Sequence, residues 1–189
     1  MEKTPYYLAY ESRYQKVYAA GVKRWGHSPD DDVLLPTLSK WVDENRLAGK
    51  KVIEFACGEG AGGEILSKLG CIYHGVDIAP TAVKKSREAL IHYPQASVSL
   101  LDMVNNPIPD KYDAAIDLMG YHMLILDTDR IKYLKNAFSC LKDNAPMLFF
   151  GNQPAFTIFQ EPDCILLLNL REILLCPKNH FPSFYFCMS

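Results

Sequence analysis

The sequence lacks the cysteine and histidine patterns that mark disulfide-rich or zinc-binding proteins. Its six cysteines are spread along the chain without a Cys-x-x-Cys pair, and no two of its five histidines lie four residues apart. We therefore expect reduced, buried thiols and no metal site. No apolar signal core follows Met1, which indicates a cytoplasmic protein.

The sequence also lacks an excess of charge and a long apolar run. Its 20 Lys and Arg residues are scattered and are balanced by 22 Asp and Glu residues. Nucleic-acid binding requires clustered basic residues, so we expect no nucleic-acid partner. The apolar cluster Ile165–Leu168 is far too short to cross a bilayer, so we expect no membrane partner either. Neither a phosphate-binding Gly-Lys-Ser/Thr loop nor a nucleophile elbow is present.

What the chain does contain, from Lys51 onwards, is an alternation of strand and helix patterns, which predicts a parallel sheet in a single α/β domain. The predicted strands are 51–55, 72–76, 97–101, 112–118 and 146–150. The predicted helices between them are 61–69, 80–93 and one that Asp127 can cap, with Ile131, Leu134, Phe138 and Leu141 on its apolar face. In the tail, 163–175 fits either a strand or a buried helix, and 181–188 reads as a strand.

Two helices are predicted before the sheet. Tyr7, Tyr10, Tyr14 and Tyr18 recur at helical spacing and would form one aromatic face. A second helix follows, with a cap from residues 30–32 and an end near Leu47. The tyrosine-rich helix can be a lid over a site or a helix packed permanently on the sheet, and the sequence does not decide between them.

The segment 52–60 is the most informative part of the sequence, because an apolar strand there runs into a turn of small residues before a helix. Gly58, Gly60 and Gly63 match a dinucleotide-binding pattern, which by itself is weak evidence. A dinucleotide would bring a negative pyrophosphate to this turn, where the carboxylate of Glu54 would oppose it. S-adenosylmethionine brings a positive ammonium and sulfonium, which a carboxylate favours.

This segment, Val-Ile-Glu-Phe-Ala-Cys-Gly-Glu-Gly, resembles motif I of the class I S-adenosylmethionine-dependent methyltransferases, although Ala56 stands where that family usually has Gly. The resemblance implies a doubly wound, mostly parallel, Rossmann-like sheet of seven strands or a shortened version. It divides the chain into N-terminal capping helices (1–49), a cofactor-binding core (50–150) and a short C-terminal segment (151–189). The implied activity is methyl transfer to a small-molecule acceptor. Trp25 and the stretch 117–124 add a short, weaker resemblance to thiopurine and tellurite-resistance methyltransferases.

The resemblance also implies which residues bind S-adenosylmethionine. Asp77 would bind the ribose and Ile78 would pack on the adenine, while Asp102 would accept from the adenine amino group and the Met103 N–H would bind a ring nitrogen. The backbone of Leu118 and Met119 would lie along the methionine part. The full predicted set is Trp25, Glu54, Ala56, Cys57, Gly58, Gly60, Asp77, Ile78, Asp102, Met103, Leu118 and Met119. Asp77 and Asp102 can instead be a helix cap and a strand-end acid.

Three residues after the fourth strand are candidates for catalysis. Asp117 could orient or deprotonate an acceptor or simply cap the strand, and His122 has a pKa suited to a general base but can equally begin a packed helix. Tyr121 is a similar case. Two other functions remain open, namely an NAD-dependent oxidoreductase, which Glu54 and Asp102 disfavour, and a cofactor-binding protein of this fold without catalysis. The sequence does not indicate the acceptor or the oligomeric state.

Overall fold

The computed structural model describes residues 6–150 and the backbone of residues 156–159. Five α-helices lie in this part of the chain: α1 (Tyr10–Ala19), α2 (Leu34–Glu44), α3 (Ala61–Lys68), α4 (Pro80–Ala89) and α5 (Asp127–Ser139). Six strands accompany them: β1 (Lys51–Phe55), β2 (Ile72–Asp77), β3 (Ala96–Leu100), β4 (Ala114–Asp117), β5 (Pro146–Phe149) and β6 (Phe156–Phe159). Short 3₁₀ helices span Tyr6–Ala9 and Tyr121–Met123.

The described strands form one sheet in the order β3-β2-β1-β4-β5-β6, which is parallel from β3 to β5. The chain builds outwards from β1 through β2 to β3 and then crosses to the other side of β1 to form β4. In open sheets of this kind, ligands bind outside the carboxyl ends of the strands where the strand order reverses. The sheet therefore directs attention to the carboxyl ends of β1 and β4.

Buried strands with helices on both faces give the fold its two apolar layers. Val52 of β1 belongs to a core cluster with the apolar sides of α2, α3 and α4. Ile53 and Phe55, which alternate with Val52 along the strand, belong to a second cluster with the inner side of α5. Alternate side chains of a strand point to opposite faces, so this division is what a doubly wound sheet requires.

Most predicted elements are confirmed within two residues at their starts, and the α/β fold with a doubly wound parallel sheet is confirmed. Pro80 lies in the first turn of α4, where its missing N–H costs nothing, and the Asp31 carboxylate accepts the Val33 and Leu34 N–H groups before α2. The prediction that Asp127 caps the next helix is wrong, because Leu126 is the residue at that cap and no side chain binds there.

The structure differs from the predictions at two further places. Ile131 was expected on the apolar face of α5 but is 41% exposed. The sequence did not predict β6, which pairs antiparallel with β5. The predictions for 163–175 and 181–188 lie outside the described residues. Cys57, Cys71 and Cys140 are buried free thiols, as expected.

Candidate functional site

A cleft opens at the carboxyl ends of four neighbouring strands. The space inside it, including the part open to solvent, is about 620 Å³. One part of its lining comes from the ends of β1 to β4 and the loops after them: Ala56, Val76, Asp77, Ile78, Leu101, Asp102, Met103, Met119, Gly120 and Met123. The N-terminal segment contributes Tyr7, Tyr10 and Tyr14. The cleft is thus mostly apolar and aromatic, with two carboxyl groups.

The turn after β1 has the tight backbone that the sequence predicted. Gly58 and Gly60 have φ of 54° and 82°, and a β-carbon at Gly60 would lie 2.5 Å from the Ser86 Oγ. Ala56 also has a positive φ of 51°, which costs a residue with a side chain about 1–2 kcal/mol. The departure from Gly at this position is therefore accommodated by a strained Ala whose side chain faces the cleft.

Asp77 closes β2 and fixes the backbone around the cleft. Its Oδ2 accepts the Gly58 N–H at 2.9 Å and its Oδ1 accepts the Ala79 N–H at 2.8 Å. Burial raises the pKa of this carboxyl group, while these hydrogen bonds lower it. Each carboxylate oxygen can accept more than one hydrogen bond, so Asp77 holds the glycine turn and keeps acceptor capacity towards the cleft.

Asp102 also lines the cleft but is occupied by its own loop. Its Oδ1 accepts the Val104 N–H at 2.9 Å, and its Oδ2 accepts from Asn105 Nδ2 at 2.8 Å. Asn105 Nδ2 also donates to the Tyr7 hydroxyl at 3.2 Å. Asp102 therefore acts as a strand-end acid that organises the loop, while its position leaves it within the cleft wall beside Met103.

Glu54 is held away from the cleft. It is buried against the first turn of α3, where a β-carbon at Gly62 would lie 2.8 Å from both carboxyl oxygens, and the Tyr73 hydroxyl donates to its Oε2 at 2.5 Å. Burial raises the pKa of Glu54 to about 8, while the hydrogen bond from Tyr73 lowers it. A cation beside the carboxyl group would lower this pKa further. The argument that a charged Glu54 separates S-adenosylmethionine from NAD therefore stays a prediction.

The three candidate catalytic residues differ in their surroundings. Asp117 is buried, and its oxygens accept from the Gly120 N–H (2.6 Å), the Tyr121 N–H (2.9 Å) and the Tyr133 hydroxyl (2.6 Å). Burial raises the pKa of Asp117 to about 6, against these hydrogen bonds. Tyr121 is half-buried against the rings of Tyr133 and Phe149, and His122 is exposed. None of the three is among the residues that line the cleft.

The cleft thus brings together half of the predicted cofactor-binding residues. Those that line it are Ala56, Asp77, Ile78, Asp102, Met103 and Met119, and those that do not are Trp25, Glu54, Cys57, Gly58, Gly60 and Leu118. Tyr7, Tyr10 and Tyr14 line the wall. The sequence analysis placed them on one aromatic face of a possible lid but did not include them among the site residues. It also missed Glu59, which is buried in the glycine turn and hydrogen-bonded to the N-terminal segment.

Residues 53–147 match the model of a family described as a methyltransferase domain, and they make up half of the chain. The chain belongs to this methyltransferase family. The prediction of a class I S-adenosylmethionine-dependent methyltransferase is thereby confirmed. Among curated proteins, no sequence matches this methyltransferase significantly.

Solved structures of several methyltransferases share the fold of this chain. A TehB-like methyltransferase from Corynebacterium glutamicum is 21% identical, with a TM-score of 0.56, and the match covers 86% of this chain and 79% of that one. An S-adenosylmethionine-dependent methyltransferase from Clostridium acetobutylicum is 20% identical, with a TM-score of 0.57 and coverage of 76% and 56%. The amino pentose methyltransferase CalS10 from Micromonospora echinaspora is 17% identical, with a TM-score of 0.56, and the match covers 79% of this chain and 58% of that one. The chain thus spans little more than half the length of the last two proteins, and identities this low show the fold alone.

The cleft fits a nucleoside cofactor. Asp77 presents a buried carboxyl group at the strand end, and Ile78, Leu101 and Met103 add apolar side chains to the same wall. Among the described residues, no three His, Cys, Asp or Glu side chains gather as a metal site would require. In the same part of the chain, no helix has the length and apolar character needed to span a membrane.

Proposed function

We propose that the cleft binds S-adenosylmethionine and that the protein transfers its methyl group to a small-molecule acceptor. The observation that carries the proposal is the position of Asp77 in a cleft at the carboxyl ends of β1 to β4, within a chain of the methyltransferase family. Asp77 would accept the ribose hydroxyls, and Ile78 and Met103 would flank the adenine. Met119, after β4, would contact the methionine part.

When bound, the cofactor supplies a methyl group that its sulfonium has already activated. The protein then has to align the acceptor and exclude water, which are the contributions that a positioned, enclosed site makes. Tyr7, Tyr10 and Tyr14 suit the second task because they cover the cleft with apolar rings.

Asp117 is proposed as a positioning residue. Its two oxygens hold the Gly120 and Tyr121 N–H groups, and Gly120 is part of the cleft wall. Tyr121 and His122 lie between two lining residues, Gly120 and Met123, and they remain our candidates for contact with the acceptor. A general base is required only where the acceptor must lose a proton.

Several predictions from the sequence belong to the same proposal. These are a cytoplasmic location, one domain over residues 1–189 and the absence of a nucleic-acid partner. The small-molecule acceptor is part of the proposal as well. CalS10 is described as an amino pentose methyltransferase, but this chain shares only its fold.

Calorimetric titration with S-adenosylhomocysteine and with NAD tests the cofactor. We expect S-adenosylhomocysteine to bind and NAD not to bind. Asp77→Asn should weaken S-adenosylhomocysteine binding about 10- to 100-fold, because hydrogen bonds to a charged acceptor contribute about 1.5–3 kcal/mol each. The matched control is Asp113→Asn, since Asp113 also accepts a backbone N–H, from Lys51, but does not line the cleft.

Tighter binding of NAD than of S-adenosylhomocysteine would contradict the cofactor assignment, and equal effects of the two Asn substitutions would remove Asp77 from the site. Transfer of a labelled methyl group from S-adenosylmethionine to a panel of amine, hydroxyl and thiol compounds then tests the reaction. Binding without transfer to any of them would favour the cofactor-binding protein without catalysis.

A further inference from the structure

Glu59 lies inside the glycine turn, between Gly58 and Gly60, yet its side chain binds the N-terminal segment. Its Oε2 accepts the Trp25 N–H at 2.8 Å and the Gly26 N–H at 2.7 Å, and the Tyr18 hydroxyl donates to its Oε1. The side chain is buried. One carboxylate therefore joins the turn after β1 to two successive backbone amides and a side chain more than 30 residues earlier in the chain.

The residues that Glu59 holds are themselves packed against the wall of the cleft. The Trp25 ring stacks on Tyr10, with centroids 5.9 Å apart, and meets Tyr14 edge to face at 4.8 Å. Tyr10 and Tyr14 both line the cleft. The position of Trp25, which Glu59 sets through the backbone, thus determines where two rings of the cover can lie.

A second contact joins the same two parts of the molecule. A β-carbon added at Gly58 would lie 3.1 Å from the Tyr14 hydroxyl, so the turn and helix α1 are in close proximity there. The N-terminal segment also has attachments that do not involve the turn. Glu11 accepts from the Thr81 N–H and hydroxyl, at 2.9 and 2.7 Å, on α4. Loss of the Glu59 contacts would therefore loosen the segment near Trp25 without releasing all of it.

We propose that Glu59 is a positioning residue that couples the turn after β1, whose Ala56 lines the cleft, to the aromatic cover formed by Tyr10, Tyr14 and Trp25. This coupling rests on the proposed function, because it requires a ligand in the cleft. A ligand that orders the turn also orders Glu59, and through it the Trp25 and Gly26 amides and the rings packed on Trp25. Cofactor binding and ordering of the aromatic cover near Trp25 are then a single event.

Hydrogen exchange at the Trp25 and Gly26 amides, measured with and without S-adenosylhomocysteine, tests the coupling alongside calorimetry. We expect Glu59→Ala to speed the exchange of these amides about tenfold or more without ligand, and to raise the Kd for S-adenosylhomocysteine about tenfold, or about 1.4 kcal/mol. In the wild-type protein the ligand should slow this exchange, and in Glu59→Ala that slowing should disappear. Asp113→Asn serves as the control and should behave as the wild type.

Glu59→Gln should give smaller changes in the same direction, because its amide oxygen can still accept both N–H groups but carries no charge. The coupling is overturned if the ligand slows amide exchange in Glu59→Ala as much as in the wild type. It is also overturned if Glu59→Ala leaves the Kd unchanged. If Glu59→Ala does not fold, Glu59→Gln decides alone, and exchange and Kd identical to the wild type reject the proposal. If the wild-type protein does not bind S-adenosylhomocysteine, the proposed function and the coupling both fail, and the ligand-free exchange rates show whether Glu59 anchors the segment.

Discussion

Glu54 shows at the scale of one residue how burial changes the chemistry that a motif suggests. Its carboxyl group packs against Gly62 of α3 and accepts from the Tyr73 hydroxyl. Desolvation disfavours the charged form, so the pKa rises from 4.5 to about 8. The acid within the buried strand β1 was recognisable in the sequence, but its protonation state depends on contacts that only the fold supplies.

Glu54 should therefore make stability depend on pH. Its folded-state pKa lies above the unfolded value of 4.5, so the folded state binds the extra proton and the free energy of unfolding falls as pH rises from about 5 to 8. We expect Glu54→Gln to remove this contribution. Between pH 5 and 8, the free energy of unfolding of the wild type should therefore fall more steeply than that of Glu54→Gln, and the two slopes should differ by about 1 kcal/mol per pH unit. Urea unfolding of both proteins between pH 5 and 8 measures the difference. Parallel curves would show that Glu54 is already ionised in the folded protein.

Helix α3 shows at the scale of an element why small residues are needed beside the glycine turn. A β-carbon at Gly63 would lie 2.6 Å from the Tyr73 ring and 3.1 Å from Leu90. The pair Gly62 and Gly63 therefore lets the first turn of α3 approach β1 and β2 closely, which keeps the helix N-terminus at the edge of the sheet where the cleft lies. The third glycine of the dinucleotide pattern thus has a packing role here.

Gly63→Ala tests this packing. Ala improves helix propensity by about 1 kcal/mol over Gly, but the collision with the Tyr73 ring is an overpacking that typically costs about 1–3 kcal/mol. Since the ring is fully buried and cannot move far, we expect a net loss of about 1–2 kcal/mol in the free energy of unfolding. Lys68→Ala, on the exposed side of the same helix, should change it by less than about 0.5 kcal/mol. A stabilised Gly63→Ala would mean that the helix lies farther from β2.

The elements differ in how well the sequence predicted them. The strands of the parallel sheet were recognisable because burial on both faces requires short, continuous apolar runs such as 114–116. The residues at their carboxyl ends, including Asp77 and Asp102, followed from the same pattern. The contacts of Glu59 with Trp25 and those of the Glu54 side chain with Tyr73 could not be predicted. These contacts join segments far apart in sequence and follow no periodicity. The start of α5 was misjudged because Asp127 is a favoured cap residue that the fold does not use there.

At the scale of the whole molecule, the N-terminal segment is part of the fold and more than a cover. Tyr7 is buried in the same apolar cluster as Ile53 and Phe55 of β1, and Tyr14 is buried against Ala79 and Ala82. Within the part of the chain that the structure describes, every strand pairing lies between Lys51 and Phe159, so this sheet does not take a strand from the segment. Of the two alternatives left by the sequence, these buried contacts favour a helix packed on the sheet over a lid that opens freely.

Tyr6 and Tyr7 provide a matched test of this role, since the first is 42% exposed and the second 8% exposed. We expect Tyr7→Ala to lower the free energy of unfolding by about 3–5 kcal/mol, as removal of a large buried ring does, and Tyr6→Ala to lower it by less than about 1 kcal/mol.

Deletion of residues 1–28 removes both Tyr7 and Tyr14. The resulting loss in the free energy of unfolding approaches the total of about 5–15 kcal/mol that a domain possesses. The truncated chain should therefore lose its cooperative unfolding transition in urea, followed by circular dichroism. A truncated protein that unfolds cooperatively with nearly the wild-type dependence on urea would show that the sheet and its helices fold alone and that the segment is a separate lid.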